Sequence, residues 1–451
     1  MIADTLPNIS TDYRKGLPDD SRFVYMWDPR VVDGIDKKSF PKFSNYDHRS
    51  LVLAQEGDLV YLGAKGDNLN RAKDFVKDYL NPLGFGPDPE DIYSLGENLN
   101  SPVTDLWLGD ESKRKELGKH IYERVGHDGI LSPYFYNSDF RRFAEDTRIN
   151  YIGPDNESVI EVVSDKDRFV KFVSEEVGID VGPYEILTSD FETNLRRIFK
   201  SGNMGDALYG RGAKGATGMG HYPINGKNII EMAQQMQADL DTTKRVLIQP
   251  DYGKHRSPSV IYRVNGGVHQ LSPLSSQILD SDRSHIGNLN PGMKLADNLE
   301  SVIEEKSKRI FEAARNMGFK GEGGLDWMIP EEYGELPAEI NARPTGNTAP
   351  AFVHNRFSSN CSVYGSSFNV ISPSIRTFDQ VRVALDRLLI SDKGATSGIM
   401  PIQTGDLHSR GKMVVVALGE SAEESLRIAR NGADRLGDNN VKQYLMEESI
   451  N

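Results

Sequence analysis

From Leu325 to Arg343 the chain reads as two short strands around a polar turn. Leu325 to Ile329 is apolar apart from Asp326, and Glu331 to Gly334 is turn-forming. Leu336 to Arg343 then alternates. Ala338, Ile340 and Ala342 fall on one face, and Glu339, Asn341 and Arg343 on the other. A hairpin symmetric about Glu332 and Tyr333 places Asp326 opposite Glu339, with Cβ atoms about 4.5–5.5 Å apart. Upstream, the pattern predicts strands at Phe23–Met26, Ser50–Ala54 and Asp58–Gly63, and helices at Asn70–Leu80, Lys113–Val125 and Asp139–Asp146. Such alternation favours a mostly parallel sheet. A helix capped by Ser164, with Lys166 in its first turn, runs to Gly178. Strands follow at Gly182–Leu187, Arg245–Pro250 and Ser259–Val264, the last turning at Asn265-Gly-Gly. Helices are expected at Phe191–Phe199, Ile229–Leu240 and 298–318. Gln277 to Pro291 reads as a long polar loop able to line a cavity. The segment 376–451 reads as a smaller α/β appendage, with a buried strand at Lys412–Gly419 and a helix at Ala422–Leu436.

Glycine recurs at 210, 212, 215, 218 and 220. A loop this rich in glycine exposes backbone N–H groups and can close on phosphate oxygens without Cβ clashes. Arg211, Lys214 and Thr217 add donors. The loop is neither a Walker A sequence nor a clean GxGxxG.

Two facing carboxylates repel unless a cation lies between them. A set of Asp326, Glu339 and Asn341 oxygens suits Mg²⁺ or Mn²⁺ rather than zinc. Arg343 can meet phosphate oxygens bidentately. A net charge of −13 argues against a general nucleic-acid or anionic-membrane binder. Cys361 is the only cysteine, which excludes a disulfide framework and a cysteine-rich zinc module. No apolar run is long enough to span a bilayer, and no signal peptide is evident. A cytoplasmic location is the default expectation.

Lys166, the glycine loop, a hinge at 247–250, Asp326 and then Glu339-x-Asn341-x-Arg343 occur in that order. This arrangement resembles the ATP-grasp superfamily of carboxylate–amine ligases over roughly residues 160–365. The gap from Asp326 to Glu339 is its most specific part. Arg343-Pro-Thr-Gly346-x-Thr348-x-Pro350 and the extra C-terminal segment look most like pheganomycin-type peptide ligases. The implied fold is α/β (α+β), an ATP-grasp fold with an N-terminal pre-ATP-grasp domain and a small C-terminal α/β domain. Expected boundaries are 1–155, 156–245 (bearing the glycine loop), 246–372 (metal and catalytic) and 373–451.

The resemblance implies the following roles. Asp326, Glu339 and Asn341 bind Mg²⁺ or Mn²⁺ bridging ATP phosphates. Arg343 stabilises the transferring phosphoryl group, with Asn341 beside it. Lys166, Arg211, Lys214, Gly212, Gly215 and Gly218 contact nucleotide, and main-chain groups near Leu247 and Gln249 meet the adenine. Arg263 and Arg356 are candidates to hold a substrate carboxylate, though each could equally be a structural ion-pair partner.

Two departures from the pattern stand out. Ala207-Leu-Tyr209 lacks the usual strand lysine, which Arg211 or Lys214 would replace, and Gln249 stands where an acid is common. The implied activity is an ATP- and Mg²⁺-dependent ligase joining an amino-acid or peptide carboxylate to an amine through an acyl phosphate. The implied partners are small molecules, neither nucleic acid nor membrane, with a homodimer as the assembly. An ATP-dependent carboxylase and a catalytically degenerate nucleotide-binding protein are the alternatives.

Overall fold

The structure, a computed structural model, describes residues 13–18, 20–27, 46–96, 107, 110–214, 220–243, 245–253, 255–279, 285–292, 295, 298–359 and 363–447. Three sheets follow one another along the chain. The first holds β1 (Arg22–Met26), β2 (Leu59–Leu62), β3 (Ile92–Ser94), β4 (Gly129–Pro133) and β5 (Asn150–Tyr151), in the order β3-β2-β1-β4-β5. Every neighbouring pair is parallel. Parallel strands are buried on both faces, and β1 obeys this. Val24 and Met26 pack on Leu117, Ile121, Phe140 and Phe143. Phe23 and Tyr25 face the opposite way, into a core shared with Phe352, Met400 and Val416. The run Ser50–Ala54, expected as a strand, is instead a short helix, Ser50–Leu53, after a 3-10 turn at Tyr46–Arg49. A four-residue apolar run carries no period that separates helix from strand.

The second sheet is β6 (Glu185–Leu187), β7 (Ala207–Gly212), β8 (His221–Asn225) and β9 (Val246–Pro250), ordered β6-β9-β7-β8 and antiparallel throughout. Its helices, Phe191–Ser201 and Ile229–Thr243, close a core of its own with Leu208, Tyr222 and Ile248. Before it, the helix Ser158–Ser164 ends and Lys166–Lys171 begins, with Asp165 between them. Ser164 therefore closes one helix rather than capping the next.

The third sheet comprises β10 (Pro258–Asn265), β11 (Gly267–Gln270), β12 (Ser275–Leu279), β13 (His285–Asn290), β14 (Gly321–Met328), β15 (Leu336–Asn341), β16 (Tyr364–Ile371), β17 (Gly398–Gln403) and β18 (Lys412–Gly419). Its main path is β15-β14-β10-β12-β13-β16-β18-β17, with β11 paired to β10. Strands of the C-terminal segment thus extend the sheet that carries the Asp326 hairpin. Most of the expected 277–291 loop is β12 and β13; residues 280–284 lie outside the described residues. Its buried polar residues are bonded to other polar groups, as Asn290 is to Asn347 and Ser275 to the Ser259 carbonyl, so the two strands lack the apolar alternation that marks a strand.

At Gly287 an added Cβ would fall 2.0 Å from the Ser367 carbonyl oxygen. Gly287→Ala should therefore separate β13 from β16 and cost about 1–3 kcal/mol, as overpacking does. A denaturant midpoint equal to that of the parent would contradict the close approach.

Candidate functional site

The hairpin β14–β15 pairs Gly324 with Asn341, Leu325 with Ile340 and Asp326 with Glu339. A bulge follows Asp326, so Trp327 meets Pro337 instead of continuing the symmetric register. Leu325, Trp327 and Ile340 turn into the core against Phe311 and Phe319. Asp326, Glu339 and Asn341 face the other way, and Glu339 and Asn341 line a cleft of about 620 Å³ when the open solvent at its mouth is counted. Lys166, Lys214, Glu339, Asn341 and Arg343 line it, with Phe135 and Ile160.

The charges in the cleft are unequal. Burial and the neighbouring Glu339 push Asp326 up to about 7, against opposing hydrogen bonds from Ser259 and Gln277. Burial would also raise Glu339, but the Lys166 and Arg211 charges outweigh it and hold Glu339 at about 2. Lys166 Nζ lies 3.1 Å from Glu339 Oε2. The Asn341 amide nitrogen reaches Asp326 Oδ2 at 3.0 Å and Glu339 Oε1 at 3.4 Å. Its carbonyl oxygen accepts from Arg343 Nη2 at 3.0 Å. Arg343 Nη1 donates to Tyr134 Oη at 3.0 Å, and the guanidinium lies 5.4 Å from that ring's centroid.

This donor set fits a divalent cation. Two carboxylates stand in register, one held anionic and one strained by its neighbour, and both are oxygen ligands. Among the described residues no cluster of three or more His, Cys, Asp and Glu side chains is placed for a metal; the Asn341 amide, 3.0 Å from Asp326, is the neighbouring side chain with a further oxygen to offer. As it stands, that amide turns its nitrogen to the carboxylates. A half-turn brings its oxygen to them.

Solved structures resemble the chain in fold. The biotin carboxylase from Campylobacter jejuni, in a complex with β,γ-ATP, matches with a TM-score of 0.59 at 12% identity, over 87% of this chain and 94% of that one. An N5-carboxyaminoimidazole ribonucleotide synthetase in an ADP complex gives 0.56 at 12%, over 96% and 99%. The biotin carboxylase domain of the Hydrogenobacter thermophilus 2-oxoglutarate carboxylase, with MgADP, ADP and bicarbonate, gives 0.54 at 15%, over 86% and 97%. The fold is ATP-grasp. No family model and no curated protein sequence matches the chain.

Within this ATP-grasp fold the expected residues divide into three groups. Glu339, Asn341, Arg343, Lys166 and Lys214 share the cleft, and Asp326 adjoins it through its contact with Asn341. Arg211 projects from β7 toward the same carboxylates. It is 8% exposed, donates to Gln249 Oε1 at 2.8 Å and to the Ala338 carbonyl at 3.3 Å, and feels both Glu339 and Asp326. Gln249 thus serves as a neutral acceptor for the buried arginine. Gly212 ends β7, where Lys166 N donates to the next carbonyl, that of Ala213. Gly215, Thr217 and Gly218 lie outside the described residues, as does Cys361.

Three expectations are corrected. Arg263 is 0% exposed and seals the core rather than the cleft. It pairs with Glu322, donates to the Tyr13 carbonyl and lies 4.7 Å from the Tyr13 ring centroid. A charged residue on an otherwise apolar strand signalled a partner, but the partner is a carboxylate of β14. Arg356 reaches Gly84 on an exposed face. Leu247 is paired between β6 and β7, its side chain buried against the body, so its main chain is not open to a ligand. At Gln249 the partner β6 has ended and only the β7 side is paired.

Sequence reasoning did not find Tyr134, Ser259 or Arg49, which contact Arg343, Asp326 and the Gly346 carbonyl respectively. Each comes from a distant segment, and no local pattern marks any of them.

Proposed function

We propose that this protein is an ATP- and Mg²⁺-dependent ligase that activates a carboxylate as an acyl phosphate and joins it to an amine. The reading rests on one observation. Cations from two sheets and a helix, Arg343, Arg211 and Lys166, converge on the in-register pair Asp326 and Glu339. Phosphoryl transfer asks mainly for positioning and charge neutralisation. A bound divalent cation would supply charge neutralisation between carboxylates and phosphate oxygens. Lys166 and Arg211 now neutralise Glu339; beside nucleotide, the same groups face phosphate oxygens. Arg343, oriented by Tyr134 and Asn341, presents its guanidinium to the transferring group. The amide or peptide bond then forms as the amine displaces phosphate, with ADP released in the first step. An amino acid or peptide as the carboxylate follows from the motif after Arg343. A homodimer and a cytoplasmic setting are part of the same reading, as are the boundaries near 155, 245 and 372. No helix among the described residues is long and apolar enough to cross a membrane.

The deciding experiment is phosphate release from ATP across a matrix of amino acids, short peptides and amines, with mass spectrometry of products. Release that never depends on a carboxylate and an amine together would sink the ligase reading. The likeness in fold to carboxylases favours a second reading, in which bicarbonate is the carboxylate activated. It predicts bicarbonate-dependent ADP formation in the same assay.

Tyr134 offers a finer test. Tyr134→Phe keeps the ring under Arg343 and removes one hydrogen bond, worth about 1 kcal/mol. The expected result is a kcat lowered by about fivefold with the KM for ATP unchanged. A change in KM alone would place Tyr134 in nucleotide binding instead.

A further inference from the structure

β13 begins with a histidine that the chemistry above leaves unused. Across the third sheet, Asp326 stands opposite Ser259, and Ser259 opposite Ser275. Gln277, two residues on, bonds to Asp326 and stands opposite Asn288. Residues directly opposed, and those two apart on a strand, share a face. This polar row therefore lies on the Asp326 side of the sheet. Gly287 pairs with Ile278, but the next pair is His285 with Leu279, so a bulge skips Ile286. Ile286 packs on the core of Ile278 and Phe368, and His285 returns to the Asn288 face. There His285 is exposed.

A small gap adjoins the ring at Gly346, three residues beyond Arg343. From the point where a Cβ on Gly346 would sit, Arg49 Nη1 is 3.4 Å away, His285 Cε1 3.8 Å and Tyr46 Oη 3.9 Å. The missing Cβ leaves room for one ligand atom in contact with all three. Tyr46 packs edge-on against Tyr134, with ring centroids 5.2 Å apart, and Tyr134 bonds to Arg343. The gap thus lies near the cation assigned to the transferring group. Crowding desolvates the imidazole and lowers its pKa, and Arg49 adds to this, while hydrogen bonds with Asn288 and its own carbonyl oppose it. The ring is therefore neutral at pH 8. Arg49 and Tyr46 face it from the 3-10 turn; neither β12 nor the loop 345–348 adds a charged or titratable group. In the row from Asp326 to His285, only His285 can take up a proton without being a metal ligand.

We propose that His285 is the general base for the amine, taking the proton that the incoming ammonium must shed before it attacks the acyl phosphate. The inference rests on the reading of the Arg343 cleft as the phosphoryl-transfer site. An amine reaches the protein mostly as an ammonium ion, which has no lone pair to offer. One proton passes to the imidazole. The freed nitrogen pair forms the C–N bond, the C–O bond to phosphate breaks, and phosphate leaves with that electron pair. The second nitrogen proton leaves with phosphate, and His285 returns its own proton to water. Gly346 gives the nitrogen its place beside the ring.

Hydroxylamine separates this role from every other. It is unprotonated at pH 8 and attacks an acyl phosphate without a base. The full chain, with ATP and Mg²⁺, is offered a panel of amino acids and short peptides, first with hydroxylamine and then with amines. Hydroxamate is read by its colour with iron, and amide by mass spectrometry. His285→Gln should lower amide formation at least about a hundredfold, the size of a general-base contribution, while hydroxamate formation stays within a few fold of the parent. Between pH 7 and 9 the parent's amide rate should be nearly flat. The variant's should climb about tenfold per pH unit as solution supplies free amine. Equal loss of both products, or an amide rate in the variant that keeps the parent's size and pH profile, overturns the assignment. A parent that forms hydroxamate from no carboxylate would remove the ligase reading itself, and this inference with it.

Discussion

Replacing Asp326 with asparagine is expected to raise the melting temperature of the nucleotide-free protein at pH 8 by a few degrees and to abolish phosphate release. The two effects have one cause. Burial and Glu339 raise Asp326 from its ordinary value to about 7. The folded state therefore holds this proton more tightly than the unfolded chain. Its penalty is absent at low pH, grows as pH rises from about 4, and is complete above 7. Glu339 works in the other direction. Its value of about 2 means its favourable contribution is intact above its ordinary range and is lost only as pH falls toward 2. Between pH 6 and 8 the Asp326 penalty is the part that changes. The parent should gain stability as pH falls from 8 to 6, and Asp326→Asn should not. Mg²⁺ should reverse the parent's trend by favouring the ionised pair, with no such effect in the variant. Thermal melts at the two pH values, with and without Mg²⁺, check this. A parent equally stable at both would mean that the two carboxylates do not share a field. Activity in Asp326→Asn should fall by at least about a hundredfold, as for other losses of transition-state charge stabilisation.

The second large effect concerns the cation that replaces the strand lysine. Arg211→Gln should lower kcat by about a hundredfold and raise the KM for ATP, whereas Lys214→Gln should cost about tenfold or less. Arg211 is buried, bonded to Gln249 and set beside both carboxylates. Lys214 lies at the other rim, with Glu161 3.9 Å away, and is one of the charges that oppose the burial-driven rise of Asp165. A preorganised buried charge contributes more to a developing phosphate than a rim charge screened by water. Steady-state kinetics of the two variants at saturating Mg²⁺ decide it. A larger loss in Lys214→Gln would transfer the role.

The hairpin was legible in the sequence because its turn residues and two-residue period set register locally. Asp326 opposite Glu339 followed from symmetry alone, and only the bulge after Asp326 was missed. The strand Lys412–Gly419 and the helix Ala422–Leu436 were likewise carried by uninterrupted local patterns. Arg263 was not legible. Nothing within its own strand distinguishes a guanidinium that reaches a ligand from one that reaches Glu322, which lies 59 positions away. Tyr134 and Arg49 failed for the same reason, since their roles exist only once the first sheet is docked on the third. The reading of 376–451 as a separate α/β appendage also gave no hint that β17 and β18 would join the sheet of the hairpin. Sheet membership is decided by edge pairing between distant segments, and a single strand's pattern does not encode its neighbour.

The self-contained core of the second sheet has a thermodynamic consequence. Leu187, Leu208, Tyr222 and Ile248 bury one another within that unit, while Tyr184, Ile186 and Leu247 lean on the body. Ion pairs also cross the seam, Arg245 against Asp165 and Asp167 and Lys214 toward Glu161, beside hydrogen bonds from Arg211 to the Ala338 carbonyl and from Lys166 N to the Ala213 carbonyl. Swinging this unit away from the cleft therefore wets little oil. Such a motion would carry a small heat-capacity change, and its free energy would depend on dissolved salt. Ionic strength is thus the solution variable expected to weaken these contacts most.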